Sequence, residues 1–272
     1  MAKTVNFIKM HGLGNDFVII ENWAGKIKLT GTQVKKLGDR NFGVGFDQLV
    51  LIEKSKKADC FMRIYNSDGG EVASCGNASR CVADIIFEAS KKTKCAIETK
   101  AGIIYAKKVG KQVAIDMGKP ILDWAKIPLA KNVDVKKLPL EFGAFKNPVA
   151  VSMGNPHVVF FVKGDVAKID LKEVGPKFEN HKFFPKRTNV EFAQVKSKNF
   201  IELRVWERGA GETLACGTGA CATLVAANLK GFTGKKAKIK LKGGSLDIEL
   251  NKEGHVIMTG PVERVFVGLI EL

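Results

Sequence analysis

The sequence predicts an α+β fold of two pseudo-symmetric lobes made by internal duplication, each strand-rich with two helices. Three observations carry that prediction. The stretch Arg63-Ile64-Tyr65-Asn66-Ser67-Asp68-Gly69-Gly70-Glu71-Val72-Ala73-Ser74-Cys75-Gly76 returns as Arg204-Val205-Trp206-Glu207-Arg208-Gly209-Ala210-Gly211-Glu212-Thr213-Leu214-Ala215-Cys216-Gly217, ungapped, at one offset (216 − 75 = 141). After each copy the apolar spacing changes from strand-like to helical. A chain of 272 residues, 45% hydrophobic and 26% charged, suits two ordinary domains with sizeable cores.

The elements follow in order. Residues 5–10 and 17–22 read as strands flanking the polar, glycine-rich turn His11–Asp16. A short helix is expected to begin near Thr32, whose hydroxyl can cap it, and to end by Gly38. The glycine-rich loop Gly43–Gln48 feeds a strand Leu49–Ile52, and a strand 60–66 leads into the first repeated stretch. Cys81, Val82, Ile85, Ile86 and Ala89 then mark one face of a helix, which puts Cys75 at or just before its N-terminus. Strands at 94–99, 102–109 and 112–117 follow, with Val109-Gly110-Lys111 as a hairpin. An irregular run from Gly118 to Pro148 leads into the second half.

There the order repeats. Gly154-Asn155 matches Gly14-Asn15 and precedes a strand, His157 to Val162; Asp170 caps a helix matching the one near Thr32. Thr188-Asn189-Val190-Glu191-Phe192 falls opposite the Gln48 strand. A strand at 199–206, Cys216, and a helix bearing Cys221, Leu224 and Val225 and ending near Gly231 come next. Strands at 236–242, 245–250, 255–259 and 265–271 close the chain. The lobes are placed at 1–118, to which strand 263–272 is added, and at 119–262.

A cysteine at a helix N-terminus faces unpaired N–H groups and the positive end of the dipole, which lower a thiol pKa. The same N–H groups receive a carboxylate. A carboxylate held between two such helix ends would have a sulfur on either face of its α-carbon, one to remove a proton and one to return it. Racemases and epimerases need that arrangement. The alternative for duplicated cysteines is core packing, which suits Cys81 and Cys221 on the apolar helix faces but not Cys75 and Cys216 among glycines and polar residues. A thiol redox pair would explain two facing cysteines but not the polar residues around them.

Composition removes other classes. A net charge of +16 suggests nucleic acid, but the lysines are spread from Lys3 to Lys252 with no DNA-binding motif, so a generally basic surface is the reading instead. Six cysteines in a chain of this size do not read as a disulfide framework, and their spacing is not that of a zinc site. Cys60 and Cys95 read as small core residues. No apolar run is long enough to span a bilayer, and the N-terminus has no signal segment. The expected location is the cytoplasm.

The motifs Met10-His11-Gly12-Leu13-Gly14-Asn15-Asp16-Phe17, Gly43-Val44-Gly45-Phe46-Asp47-Gln48, Cys75-Gly76-Asn77, Gly154-Asn155-Pro156-His157, Trp206-Glu207-Arg208-Gly209-Ala210-Gly211-Glu212-Thr213 and Ala215-Cys216-Gly217-Thr218-Gly219 span the chain. Together they resemble the diaminopimelate epimerase family. The resemblance implies two lobes, each a sheet wrapped around a central helix, and a cofactor-independent and metal-free epimerase. Its reaction would interconvert LL- and meso-2,6-diaminopimelate on the route to lysine and, in bacteria, peptidoglycan. It implies a small-molecule substrate, no nucleic-acid or membrane partner, and a homodimer. It makes Cys75 and Cys216 the acid–base pair, with Asn15, Gln48, Gly76, Asn77, Gly217 and Thr218 lining the reacting end. Asn66, Asn155, Asn189, Glu207 and Arg208 would hold the substrate's polar groups, with Arg208 taking the distal carboxylate in a bidentate way. His157 either assists a cysteine or holds a structural place at its strand start.

Proline racemases share the two-cysteine logic but take a substrate with one carboxylate, and phenazine-biosynthesis isomerases share the fold without the cysteines. A basic binding protein is the non-enzyme alternative. One departure from the family pattern is Ala78, where glycine usually follows Cys-Gly-Asn; alanine suits a first helical turn, so activity is expected to persist.

Overall fold

A computed structural model describes residues 4–272. They form two compact units, residues 4–115 with Thr259–Leu272, and Asp116–Met258. In chain order the first unit contains β1 (Thr4–Gly12), β2 (Asn15–Glu21), α1 (Gly31–Gly38), β3 (Gln48–Glu53), β4 (Cys60–Asn66), β5 (Glu71–Val72), α2 (Gly76–Ser90), β6 (Lys94–Thr99) and β7 (Gly102–Val109). β8 (Gln112–Asp116) ends it.

Strand β1 turns into β2 through Leu13 and Gly14, at φ 60° and 84°, with Gly12 facing Asn15. Two positive φ values in a two-residue loop match the twist of a hairpin, and glycine takes one of them without strain. β2 then pairs with β3 in parallel, with α1 as the crossover between them. Both strands read as continuous apolar runs because both of their faces are covered. Val18, Ile20, Leu49 and Leu51 pack with Val34 of α1 and Phe46, whereas Phe17, Ile19, Val50 and Ile52 are equally buried on the alternate face. α2 packs against β1, β2, β6 and β7. It is buried around most of its circumference, from Asn77 through Phe87, as a helix inside a wrapped sheet must be.

The cap of α1 is Thr30, not Thr32. Thr30 Oγ1 accepts from Gln33 N at 3.2 Å, and Gln33 Oε1 accepts from Thr30 N at 2.9 Å. The reciprocal pair needs a Gln three residues after the hydroxyl, which Thr30 has, and Thr32 lies inside the first turn.

The second unit contains β9 (Glu141–Phe142), β10 (Phe145–Lys146), β11 (Val149–Ser152), β12 (Pro156–Phe161), α3 (Leu171–Glu179), β13 (Asn189–Ser197), β14 (Phe200–Glu207), β15 (Gly211–Glu212), α4 (Gly217–Leu229), β16 (Lys236–Leu241) and β17 (Gly244–Leu250). β18 (Val256–Gly260) follows, and β19 (Glu263–Glu271) returns to the first unit to pair antiparallel with β1.

The sheet order β11-β12-β13-β14-β16-β17 repeats β1-β2-β3-β4-β6-β7. Parallel pairs fall at the same places, β12 with β13 and β14 with β16, as β2 with β3 and β4 with β6. α4 is buried from Gly219 through Ala227, packed against β11, β12, β13, β16 and β17. Asp170 caps α3, its Oδ1 accepting from Lys172 N at 3.0 Å and Glu173 N at 3.2 Å. Outside the sheet, Phe160, Phe178 and Phe192 make an aromatic core with Leu171 and Val174 of α3.

Four pieces were absent from the expected elements: the hairpin β9–β10, β11, and the two-residue strands β5 and β15. β11 is short and wholly buried, so it shows no alternation of apolar and polar residues. β5 and β15 are set by pairing with β4 and β14, not by local propensity.

Candidate active site

In each unit the strand–turn–helix passage puts a cysteine immediately before the central helix. Cys75 is the N-cap of α2 in extended backbone, φ −150° and ψ 116°. Its Sγ accepts from Ala78 N at 3.5 Å, and its carbonyl accepts from Ser79 N and Ser79 Oγ at 2.9 and 2.8 Å. The thiol thus occupies the place where a serine or aspartate would ordinarily satisfy the helix start. Gly76 is the first helical residue.

Beside it, Asn77 Nδ2 donates to Asn15 Oδ1 at 3.0 Å, and Asn15 Nδ2 donates to Asp47 Oδ2 at 2.7 Å. Asp47 also accepts from Arg40 at 2.8 Å, and Arg40 bonds both oxygens of Asp16 at 2.7 and 3.2 Å. Lys9 closes the network on Asp16 at 2.6 Å. Burial raises the Asp16 carboxyl, but the hydrogen bonds and charges of Arg40 and Lys9 outweigh it and hold its pKa below the ordinary value. Gln48 Nε2 donates to Asn66 Oδ1 at 2.9 Å across β3 and β4. Asn15 and Asn77 therefore meet directly, as do Gln48 and Asn66. Asp16, Arg40 and Asp47, which lock Asn15 in place, were not among the expected residues, although Asp16 and Asp47 stand inside the quoted motifs.

In the second unit Cys216 is the N-cap of α4, φ −112° and ψ 107°, and is 4% exposed. Its carbonyl accepts from Ala220 N at 3.0 Å, and its Sγ lies 3.5 Å from Thr218 Oγ1. Thr218 Oγ1 accepts from Asn155 Nδ2 at 3.3 Å, and Asn155 Oδ1 lies 3.0 Å from His157 Nε2. His157 Nδ1 is 2.6 Å from Glu191 Oε1, both residues being fully buried. His157 thus belongs to a chain of contacts that ends on a cysteine, with Glu191 behind it. Glu191 was missed, though the signal was present: a charged residue in an apolar strand whose counterpart in the first copy is Val50.

The expectation that the helix start lowers the thiol pKa fails for Cys216. Burial pushes it well above the ordinary range, and the nearby Glu207 and Glu191 carboxylates push the same way. The Thr218 hydroxyl and the Gly219 N–H pull it down but do not prevail, because desolvation of the thiolate beside two acidic side chains costs more than two donors can offset. Burial likewise pushes the Glu191 carboxyl up.

The remaining expected residues stand on the β13–β14 edge. Asn189 Nδ2 donates to Pro156 O at 2.8 Å, and its Oδ1 accepts from Arg208 N at 2.9 Å. Glu207 accepts from Thr213 Oγ1. The exposed Arg208 guanidinium bonds Lys186 O at 3.1 Å. Glu179, also unexpected, fixes this loop by accepting from Trp206 Nε1 at 2.7 Å, Gly209 N at 2.9 Å and Arg187 at 3.1 Å. Among the described residues no cluster of His, Cys, Asp and Glu could hold a metal ion, and no helix is long and apolar enough to cross a membrane.

Comparison with known proteins bears on the family and the fold. A model of the diaminopimelate epimerase family matches residues 7–122 and 149–265. A diaminopimelate epimerase of Rhodospirillum centenum is 48% identical over 265 residues, 96% of this chain and 91% of that protein. Among solved structures, a phenazine biosynthesis family protein of Bacillus anthracis superposes with a TM-score of 0.74 at 18% identity, covering 99% of this chain and 100% of that one. A hydroxyproline epimerase of Agrobacterium vitis gives a TM-score of 0.68 at 13% identity, covering 99% and 93%. These two show the shared fold; the match of the family model and the 48% identity over nearly the whole length show that this chain belongs to the diaminopimelate epimerase family.

Proposed function

We propose that the chain is an isomerase that interconverts LL- and meso-2,6-diaminopimelate by thiol–thiolate proton transfer at one α-carbon, without a cofactor, in lysine and peptidoglycan-precursor synthesis. The observation that carries this reading is that Cys75 and Cys216 both occupy the N-cap position of the central helix of equivalent units. The N–H groups at the two helix starts, from Gly76 and Asn77 and from Gly217 and Thr218, receive the carboxylate of the reacting centre. One sulfur takes the α-proton as thiolate, and the other, as thiol, delivers a proton to the opposite face. Burial and two carboxylates favour the thiol form of Cys216, which suits it to be the acid in one direction of the reaction. When it gives up its proton, Thr218 and the Gly219 N–H take the charge.

Asn15 and Asn77, and Gln48 with Asn66, are held by each other and so offer fixed polar groups rather than mobile ones. Arg208 binds the distal carboxylate, with its backbone fixed by Asn189, and Glu207 accepts from an ammonium group. This distal end distinguishes the substrate from a monocarboxylate such as proline. Thiolate chemistry of this kind goes with a reducing, cytoplasmic setting.

A homodimer completes the reading. On β19 the side chains of Val265, Phe266, Val267 and Leu269 are all exposed. Contiguous exposed apolar residues on one strand mark a protein contact more often than a free surface.

The test is removal of each sulfur. Cys75→Ala and Cys216→Ala are each expected to lose about 1000-fold or more in epimerisation with an unchanged circular dichroism spectrum. Turnover retained in either variant would refute the two-base reading.

A further inference from the structure

The two units differ at one buried place. β2 sets Phe17 opposite Gln48, and β12 sets His157 opposite Asn189 at the matching register. Val50 of β3 is likewise replaced by Glu191 of β13. Where the first unit has two apolar side chains, the second has a carboxyl and an imidazole, both 0% exposed and 2.6 Å apart. The second carboxyl oxygen, Oε2, is buried and has no hydrogen-bond partner among the described residues. A buried pair of this kind gives little or no stability over apolar residues of similar size. Packing therefore does not account for it.

Its connections do. Asn155 Nδ2 donates to Thr218 Oγ1, so Asn155 Oδ1 is left to accept from His157, which must carry its proton on Nε2. Thr218 accepts from Asn155 and has its own hydroxyl proton free to point at Cys216 Sγ, 3.5 Å away. Each donor in the series then points toward the sulfur, and successive bonds polarise one another in that direction. The series starts at Glu191: burial favours its neutral carboxyl, whose O–H donates to Nδ1 and so leaves the imidazole proton on Nε2.

We propose that Glu191 is a positioning residue for Cys216: through His157 and Asn155 it aims the Thr218 hydroxyl at the sulfur. The lack of a side chain at Gly219 makes room for it. A Cβ there would lie 2.9 Å from Glu191 Oε1 and 3.3 Å from Cys216 Sγ. The counterpart in the first unit is Ala78, where Val50 stands in the place of the acid. The ionisable groups acting on Cys216 are Glu207 on β14 and Glu191 on β13, the latter paired with His157 on β12; β11 carries none, and the lysines of β16 are exposed.

Two substitutions separate positioning from packing. Glu191→Val installs the residue of the first unit and leaves Nδ1 without a partner. Glu191→Gln can donate its amide N–H to Nδ1, which keeps the proton on Nε2 without the carboxyl. The expected result is a kcat about 100-fold lower for Glu191→Val at unchanged KM, with at least about a tenth of wild-type kcat recovered in Glu191→Gln.

The ionisation of Cys216 is read without substrate, from the 13Cβ resonance of labelled cysteine assigned through Cys216→Ala. Its midpoint is expected to rise by about one pH unit in Glu191→Val, where the Thr218 donor is no longer aimed, and to stay near the wild-type value in Glu191→Gln, while that of Cys75 stays in place. Wild-type kcat or an unmoved Cys216 midpoint in Glu191→Val would overturn the proposal. Should both variants fail to fold, 15N spectra of the wild-type protein decide: a proton on His157 Nε2 throughout about pH 6 to 9 is expected, and a bare Nε2 refutes the series. Only the kcat arm rests on the epimerase reading; the two resonance measurements stand or fall without any turnover.

Discussion

Adding one methyl group at Gly219 tests how tightly the second unit is built around Cys216. In Gly219→Ala the new Cβ would sit 2.9 Å from Glu191 Oε1 and 3.3 Å from both Cβ and Sγ of Cys216, where ordinary contact begins at 3.4 Å. Neither neighbour can yield easily. The carboxyl is fully buried and held 2.6 Å from His157, and the sulfur belongs to the residue that starts the helix. Overpacking of a closed site costs about 1–3 kcal/mol. Alanine's better helix propensity returns at most about 1 kcal/mol. The net loss lies between about 0 and 3 kcal/mol, a fall of up to about 12 °C in Tm at about 2–4 °C per kcal/mol. Displacing Glu191 should also lower turnover. The control is Ala78→Gly, which opens space in the first unit and should cost only about 0.5–1 kcal/mol with activity kept. Calorimetry and the epimerisation rate of both variants are the assay. A Gly219→Ala protein as stable and as active as wild type would refute the reasoning.

Two further outcomes follow from the geometry. Asp16 has its pKa held down by Arg40 and Lys9, so its contribution is present above the unfolded carboxyl value of about 4 and is lost as pH falls through the lower folded value. Arg40→Gln should therefore lower Tm at neutral pH, with the difference from wild type shrinking in acid; a constant difference between about pH 7 and pH 3 would contradict it. Phe266→Glu on the exposed face of β19 should shift sedimentation toward a monomer, and an unchanged dimer would move the contact elsewhere.

Much of this was legible in the sequence because the duplication states it twice. Lockstep pairing of Cys75 with Cys216 placed both sulfurs before helices, and the structure makes both of them N-caps. What escaped is what pairing in space decides. β5 and β15 are only two residues long, and β11 is buried on both faces, so neither carries a local pattern. Thr30 was passed over for Thr32 because both are threonines at a plausible start, and only the position of Gln33 distinguishes them.

The same limit applies to the site. Asn15, Asn77, Asn155 and Thr218 stood in motifs and proved to touch one another as pairs. Arg40 acts on Asp16 and Asp47 behind Asn15, and Glu179 on the loop that carries Arg208, and nothing in their own neighbourhoods marks them. The reversal at Cys216 has the same origin. A helix start can be read from sequence, but full burial beside Glu191 and Glu207 cannot.

The most direct test of the central claim is solvent exchange. Reduced protein is incubated with LL-diaminopimelate in D2O, and α-deuterium is followed by NMR while stereoisomers are separated by chiral chromatography. Deuterium entering one α-carbon, with meso product formed, is the predicted result: the incoming proton comes from solvent by way of a thiol on the opposite face. Folded protein with intact thiols that produces neither exchange nor meso product would contradict the account.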